Sequence, residues 1–239
     1  MSTLKADAIT AITTDGNLAL TGDGTGKVDI GDGALTFPDA DGTANQIIET
    51  DGSGVLSFVA KPGGGLVSLQ NSAPSVTANH DFTGFVAATY DSYKVLITNV
   101  APGTDNKDFE CETSTDGGST YDTGAADYQW AMNYHIGVSD SFVTDQSDDS
   151  MHFVTSNGVG SADNETLSGE VIIYFPGNAS EETRFTFWGS NSHDNAGEIA
   201  VNMTSAARMS AADVDAIRFH WDAGNFQAVG KIQYLGITK

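Results

Sequence analysis

Apolar residues recur at every second position through most of the chain beyond residue 90, a period that belongs to pleated strands with one covered face. In "SYKVLITNV" (92–100) Tyr93, Val95 and Ile97 share a face, and in "DYQWAMNYHI" (127–136) Tyr128, Trp130, Met132, Tyr134 and Ile136 do. "LSGEVIIYF" (167–175) is apolar on both faces, as in a central strand, and "TRFTFWG" sets Phe185 beside Phe187. "DAIRFHW" places Ile217, Phe219 and Trp221 opposite Arg218 and His220, and "GKIQYLGI" closes the chain as a last strand. With "MHFVTS" and "EIAVNMTS" this makes roughly ten strands joined by turns such as "TDGGST" and "DAGN", the pattern of an all-β antiparallel sandwich or jelly roll. One helical turn is expected, in "SAADVDA", where Ser210 is placed to cap and Asp213 falls at the third helical position.

The first 61 residues read differently. Asp-Gly pairs at Asp15, Asp23, Asp32, Asp41 and Asp51 separate strands of only three to five residues, with little side-chain bulk between them. Such strands cannot close a core within one chain and need a neighbour. Three parts are expected: a short-strand attachment and trimerisation segment (1–61), a Pro/Gly linker (62–65), and a sandwich (66–239).

The formal charge of -22, from 32 acidic and 10 basic residues spread along the sequence, leaves no basic stripe for phosphates, so nucleic acid is not an expected partner. No run approaches the ~20 apolar residues of a membrane helix, and "MSTLKADAIT" lacks the apolar stretch of a secretory signal. Manufacture in the cytoplasm without membrane insertion is therefore expected.

Several patterns that resemble sites fail on spacing. An EF-hand loop centred on Gly42 puts Phe37 and Ile48 where carboxylates are required. "DQSDDS" offers Asp145, Asp148 and Asp149 but reads as a solvated acidic loop. His80, His135, His152, His193 and His220 show no zinc spacing, and His135 and His220 alternate out of phase with their aromatic neighbours, as surface residues do. Cys111, the single cysteine, alternates with Glu110 and Glu112 and is assigned to the core. Neither a nucleophile elbow nor a phosphate loop is present, so no cofactor, metal or catalytic residue is assigned. A glycan-cleaving enzyme needs two carboxylates about 5 to 10 Å apart, a pair that 32 acids give no means of choosing. Trp130 and Trp221 share faces with large apolar residues, whereas Trp188 is out of phase with Phe185 and Phe187. Trp188 is thus the exposed aromatic expected at a receptor-binding surface, with His193 and Asp194 in the following turn as companions.

Four stretches carry a family resemblance: "MSTLKADAITAITTDGNLALTGDGTGKVDI" at the start, "GTANQIIETDGSGVLSF" (42–58), "YDSYKVLITNVAPGTDNKDFECETSTDGGSTYDTGAADYQWA" (90–131) and "DVDAIRFHWDAGNFQAVGKIQYLGITK" (213–239). Together they resemble the tail-fibre-like virion proteins of tailed bacteriophages, those of marine bacteria especially. The resemblance implies a homotrimeric fibre or spike, joined to other virion proteins of the tail through its N-terminal segment. Its β-rich knob faces outward, toward a host surface glycan or protein. At 61 residues the N-terminal part spans at most ~200 Å when fully extended, so the fibre is short. The rival placement is a capsid decoration or head-fibre protein gripping the shell by the same segment.

Overall fold

The computed structural model describes residues 29–30, 35–36, 38, 42–44, 46–60, 65–86, 89–192 and 198–238. It divides into two units, Met1–Gly63 and Gly64–Lys239. Among the described residues there is no helix, and therefore none long and apolar enough to cross a membrane.

In the first unit β1 (Asp29–Ile30) pairs with β2 (Leu35–Thr36), and β3 (Gln46–Thr50) with β4 (Leu56–Ala60), both antiparallel. The β3–β4 turn is built from the Asp51-Gly52 pair. Oδ1 of Asp51 accepts the amides of Ser53 (2.7 Å) and Val55 (3.0 Å), while Gly52 and Gly54 take φ of 78° and 92°, a region closed to most side chains. The other four Asp-Gly pairs fall wholly or partly outside the described residues. The hairpin leaves apolar surface open, with Ile47 at 40%, Ile48 at 49% and Val55 at 44% exposure.

The second unit is an antiparallel β-sandwich. Its strands are β5 (Leu66–Ser72), β6 (Asn79–Phe82), β7 (Tyr90–Val100), β8 (Lys107–Ser114), β9 (Tyr128–Ile136), β10 (Ser139–Asp148), β11 (Met151–Val159), β12 (Leu167–Tyr174), β13 (Arg184–Ser192), β14 (Ile199–Arg208), β15 (Ala216–Trp221) and β16 (Lys231–Thr238). The smaller sheet runs β11-β8-β15-β6 and the larger β10-β9-β14-β13-β12-β7-β16-β5. Within them lie the orders β5-β16-β7-β12 and β6-β15-β8-β11, and the chain changes sheet at β5–β6, β6–β7, β7–β8, β8–β9, β10–β11, β11–β12, β14–β15 and β15–β16. That is the order of an eight-stranded jelly roll of two Greek keys. Two further hairpins, β9–β10 and β13–β14, stay with the larger sheet and widen it beyond β12.

The inward residues of both sheets form one core. Phe82 of the smaller sheet stacks on Tyr234 of the larger at 4.3 Å between ring centroids, and Phe153 meets Phe187 at 5.3 Å. Cys111, Trp130 and Trp221 all lie in this core, as their alternation predicts.

The expected helical turn at Ser210–Ala216 does not form; residues 209–215 are irregular. Here the chain crosses from β14 in one sheet to β15 in the other, and its backbone amides are claimed by tertiary partners. Met209 N–H donates to the Asp127 carbonyl, Val214 N–H to that of Pro176 (2.7 Å) and Asp215 N–H to that of Ser114 (3.0 Å). Val214 is fully buried. Local capping chemistry therefore yields to burial.

Candidate functional site: the outer face of the larger sheet

The strands that widen the larger sheet also build its outward face. On β13 burial alternates strictly, with Phe185, Phe187, Gly189 and Asn191 inward and Arg184, Thr186, Trp188 and Ser190 outward. Backbone register aligns Leu96, Glu170, Trp188, Met203, Asn133 and Phe142 in one row across six strands. The adjacent row is Lys94, Ile172, Thr186, Ser205, Ala131 and Thr144. Trp188 is 65% exposed and Phe142 63%. Between them lies a depression of about 420 Å³ whose floor includes Met203, Thr186 and Ser205. A second depression continues past Trp188 and Glu170 toward Leu96 and Ser190, and a third past Ala131 and Ser205 toward Thr144 and Arg184. Together they form one shallow groove across the strands.

Two glycines let β12 and β13 approach closely beside this groove. Gly169 and Gly189 pair across β12 and β13 beside Trp188. A Cβ on Gly169 meets the Cα of Gly189 at 2.7 Å, and one on Gly189 meets the Ser168 carbonyl oxygen at 2.8 Å. Only glycines permit this approach. The groove's described cations are paired: Lys94 Nζ lies 2.5 Å from Glu170 Oε2, and Arg184 lies 3.9 Å from Glu182.

Of the residues assigned to receptor contact, Trp188 is outward and solvent-facing, while His193 and Asp194 lie outside the described residues. Phe142 was missed because β10 was not recognised as a strand. Its inward Val143 and outward Phe142 are both apolar, which blurs the alternation, and most of β10 is exposed.

A second cluster occupies the outer face of the smaller sheet, and it corrects the surface assignment of His220. Register aligns His152, Glu110, His220 and Asn79 across β11, β8, β15 and β6. The His220 side chain is only 15% exposed, with Nε2 3.3 Å from Glu112 and Nδ1 3.8 Å from Glu110. His152 Nε2 stands 3.4 Å from Glu110 and 3.5 Å from Asp148, and Nδ1 3.8 Å from Asp108. His135 stays exposed, paired with Asp140. Asp148, expected in a solvated acidic loop, is half-buried and accepts the Trp130 indole N–H at 2.8 Å. Burial works against the imidazolium at His152 and His220, but the carboxylates around each outweigh it and hold both pKa values above the ordinary 6.5. Burial pushes the Glu110 carboxyl up, partly offset by the two imidazoles and by the Ser150 hydroxyl that donates to it.

Asp108, Glu110 and His152 also bring their ligand atoms within 4.8 Å of one another. A metal ion there needs a neutral imidazole, against the carboxylate field that favours the protonated form of His152. As it stands the cluster is an ion-pair network in which His152 Nδ1 and His220 Nε2 make no hydrogen bond among the described residues. The Cys111 thiol is pushed well up by burial, which leaves it a core residue without thiolate character. Asn202, in the glycosylation pattern Asn-Met-Thr, is 2% exposed and donates its side-chain amide to Asn191, so it is closed to modification in the folded chain.

No protein-family model, no curated protein and no solved structure matches this chain.

Proposed function

We propose that the protein is a structural component of a tailed-phage virion, a short homotrimeric tail fibre or spike. In this reading Met1–Gly63 joins it to the particle and the jelly roll forms the outward, receptor-facing knob. The observation that carries the proposal is the β3–β4 hairpin, where Ile47, Ile48 and Val55 stay exposed on a two-stranded ribbon too small to cover them. Three copies around one axis bury such residues against each other and remove the open edges of the ribbon. The sequence resemblance supplies the virion context, and the exposed indole of Trp188 supplies a contact surface on the knob.

Sedimentation of the full chain tests the oligomer: the expected particle has three times the 24.9 kDa chain mass, and a folded monomer overturns the proposal. Labelled protein on intact particles tests the address. Density at the tail tip is expected, whereas density over the capsomers assigns the chain to the capsid as a decoration or head-fibre protein.

A further inference from the structure

We infer that the groove on the outer face of the larger sheet binds an uncharged linear polysaccharide, laid across the strands and stacked on Trp188. The inference rests on reading the sandwich as a receptor-facing knob and names the ligand class at its surface.

Three features of the face carry it. A pyranose ring presents C–H groups on its faces and hydroxyls around its rim, so it needs an apolar plate with hydrogen-bonding groups beside it. Trp188 is that plate, because its indole is 65% exposed on a stiff central strand and has Thr186 and Ser190 as its outward neighbours. Phe142 provides a second ring in the same row, with Asn133 between it and Met203.

The shape is elongated. Joined depressions run from β7 to β10, six adjacent strands, which at the usual strand spacing is about 24 Å, room for several sugar rings in file.

Charge selects the class. Lys94 is paired with Glu170, Arg184 lies beside Glu182, and the chain carries -22 overall. A sulfated or uronic acid polymer would meet repulsion with no unpaired cation among the described residues of the groove to offset it. A contact between protein copies is disfavoured by the same pattern. Hydroxyl, amide or charged groups interrupt the apolar residues along both rows and along β13, whereas the fully buried core of a protein interface is more apolar and depleted in charge.

The test is affinity electrophoresis of the full chain in gels holding a neutral β-glucan, a mannan or a galactan, with anionic alginate as the contrast. Fluorescence is read in parallel, since Trp188 is the exposed indole and Trp130 and Trp221 are buried. Expected are retardation by at least one neutral polymer, none by alginate, and a blue shift of the emission. Trp188→Ala should weaken binding about three- to tenfold, Trp188→Phe should restore part of it, and neither should lower Tm, because the side chain is exposed. Retardation by none of the neutral polymers, by alginate alone, or undiminished in Trp188→Ala overturns the inference. So does a fall in sedimenting mass in Trp188→Ala, which makes the face a contact between copies. A trimer that binds no neutral polymer sinks this inference and leaves the fibre reading standing; a monomer that binds one does the reverse.

Discussion

His152 and His220 sit where alternation alone places solvent, yet their side chains are only 16% and 15% exposed. Alternation says which face a residue takes; it does not say whether that face is crowded by carboxylates from neighbouring strands. Trp188 was legible by the same rule because its face is open. The histidine network has a consequence for stability. Both imidazoles keep their protons to higher pH in the folded chain than in the unfolded one, so near and above 6.5 the folded state binds more protons. Their contribution is complete below about pH 6.5 and is lost as pH rises through the raised values. The raised Glu110 carboxyl acts in the same direction at lower pH. His80, pushed down by burial, acts in the opposite sense, mainly below about 6.5 and only weakly above it, where two raised imidazoles outnumber it. Tm should therefore fall from about pH 6.5 to about pH 9, as read by scanning calorimetry. Glu110→Gln, which removes one carboxylate facing both rings, should make that fall smaller; an equal or larger fall assigns the pH response to other groups.

At the scale of elements, the alternating strands (β7, β8, β9, β13, β15 and β16), the two-faced apolar run of β12 and the stretches of β11 and β14 were readable, whereas β6 and β10 were not, for identifiable reasons. β6 is four residues long and β10 is largely exposed, so neither shows a full period of burial. The crossing between β14 and β15 looked helical because its capping residues are local while the partners that override them are distant in sequence. The topology was beyond reach from sequence, since nothing local records that β5 lies beside β16 or β6 beside β15. Two substitutions test how the elements hold together. Gly189→Ala inserts a methyl between the Ser168 carbonyl and the Phe187 ring; it should cost about 1–3 kcal/mol in urea unfolding and disturb the groove beside Trp188. Phe219→Ala empties a fully buried site whose ring stacks on Phe109 at 5.4 Å, with an expected loss of about 3–5 kcal/mol. A cost below about 1 kcal/mol for Phe219→Ala would mean that the two sheets do not share the core described above.

At the scale of the whole molecule, the chain's two units place opposite demands on a neighbour. The sandwich closes its own core, whereas the β3–β4 hairpin leaves two adjacent isoleucines open, and Ile47 and Ile48 point to opposite faces of the ribbon. A single partner surface covers one face; threefold packing, with each hairpin wedged between two others, covers both. Charge adds a second condition, because bringing together chains that each carry -22 costs repulsion that salt relieves over a Debye length of about 10 Å at 0.1 M. Trimerisation should therefore strengthen as salt rises from about 0.01 to about 0.1 M. In the proposed trimer, replacing Ile47 and Ile48 together by Glu sets buried like charges around the axis, so the double variant should sediment as a monomer. The sandwich of that variant should keep its β circular dichroism and its Trp188-dependent fluorescence. A double variant that still sediments as a trimer would place the association surface outside the hairpin and remove the observation on which the fibre proposal stands.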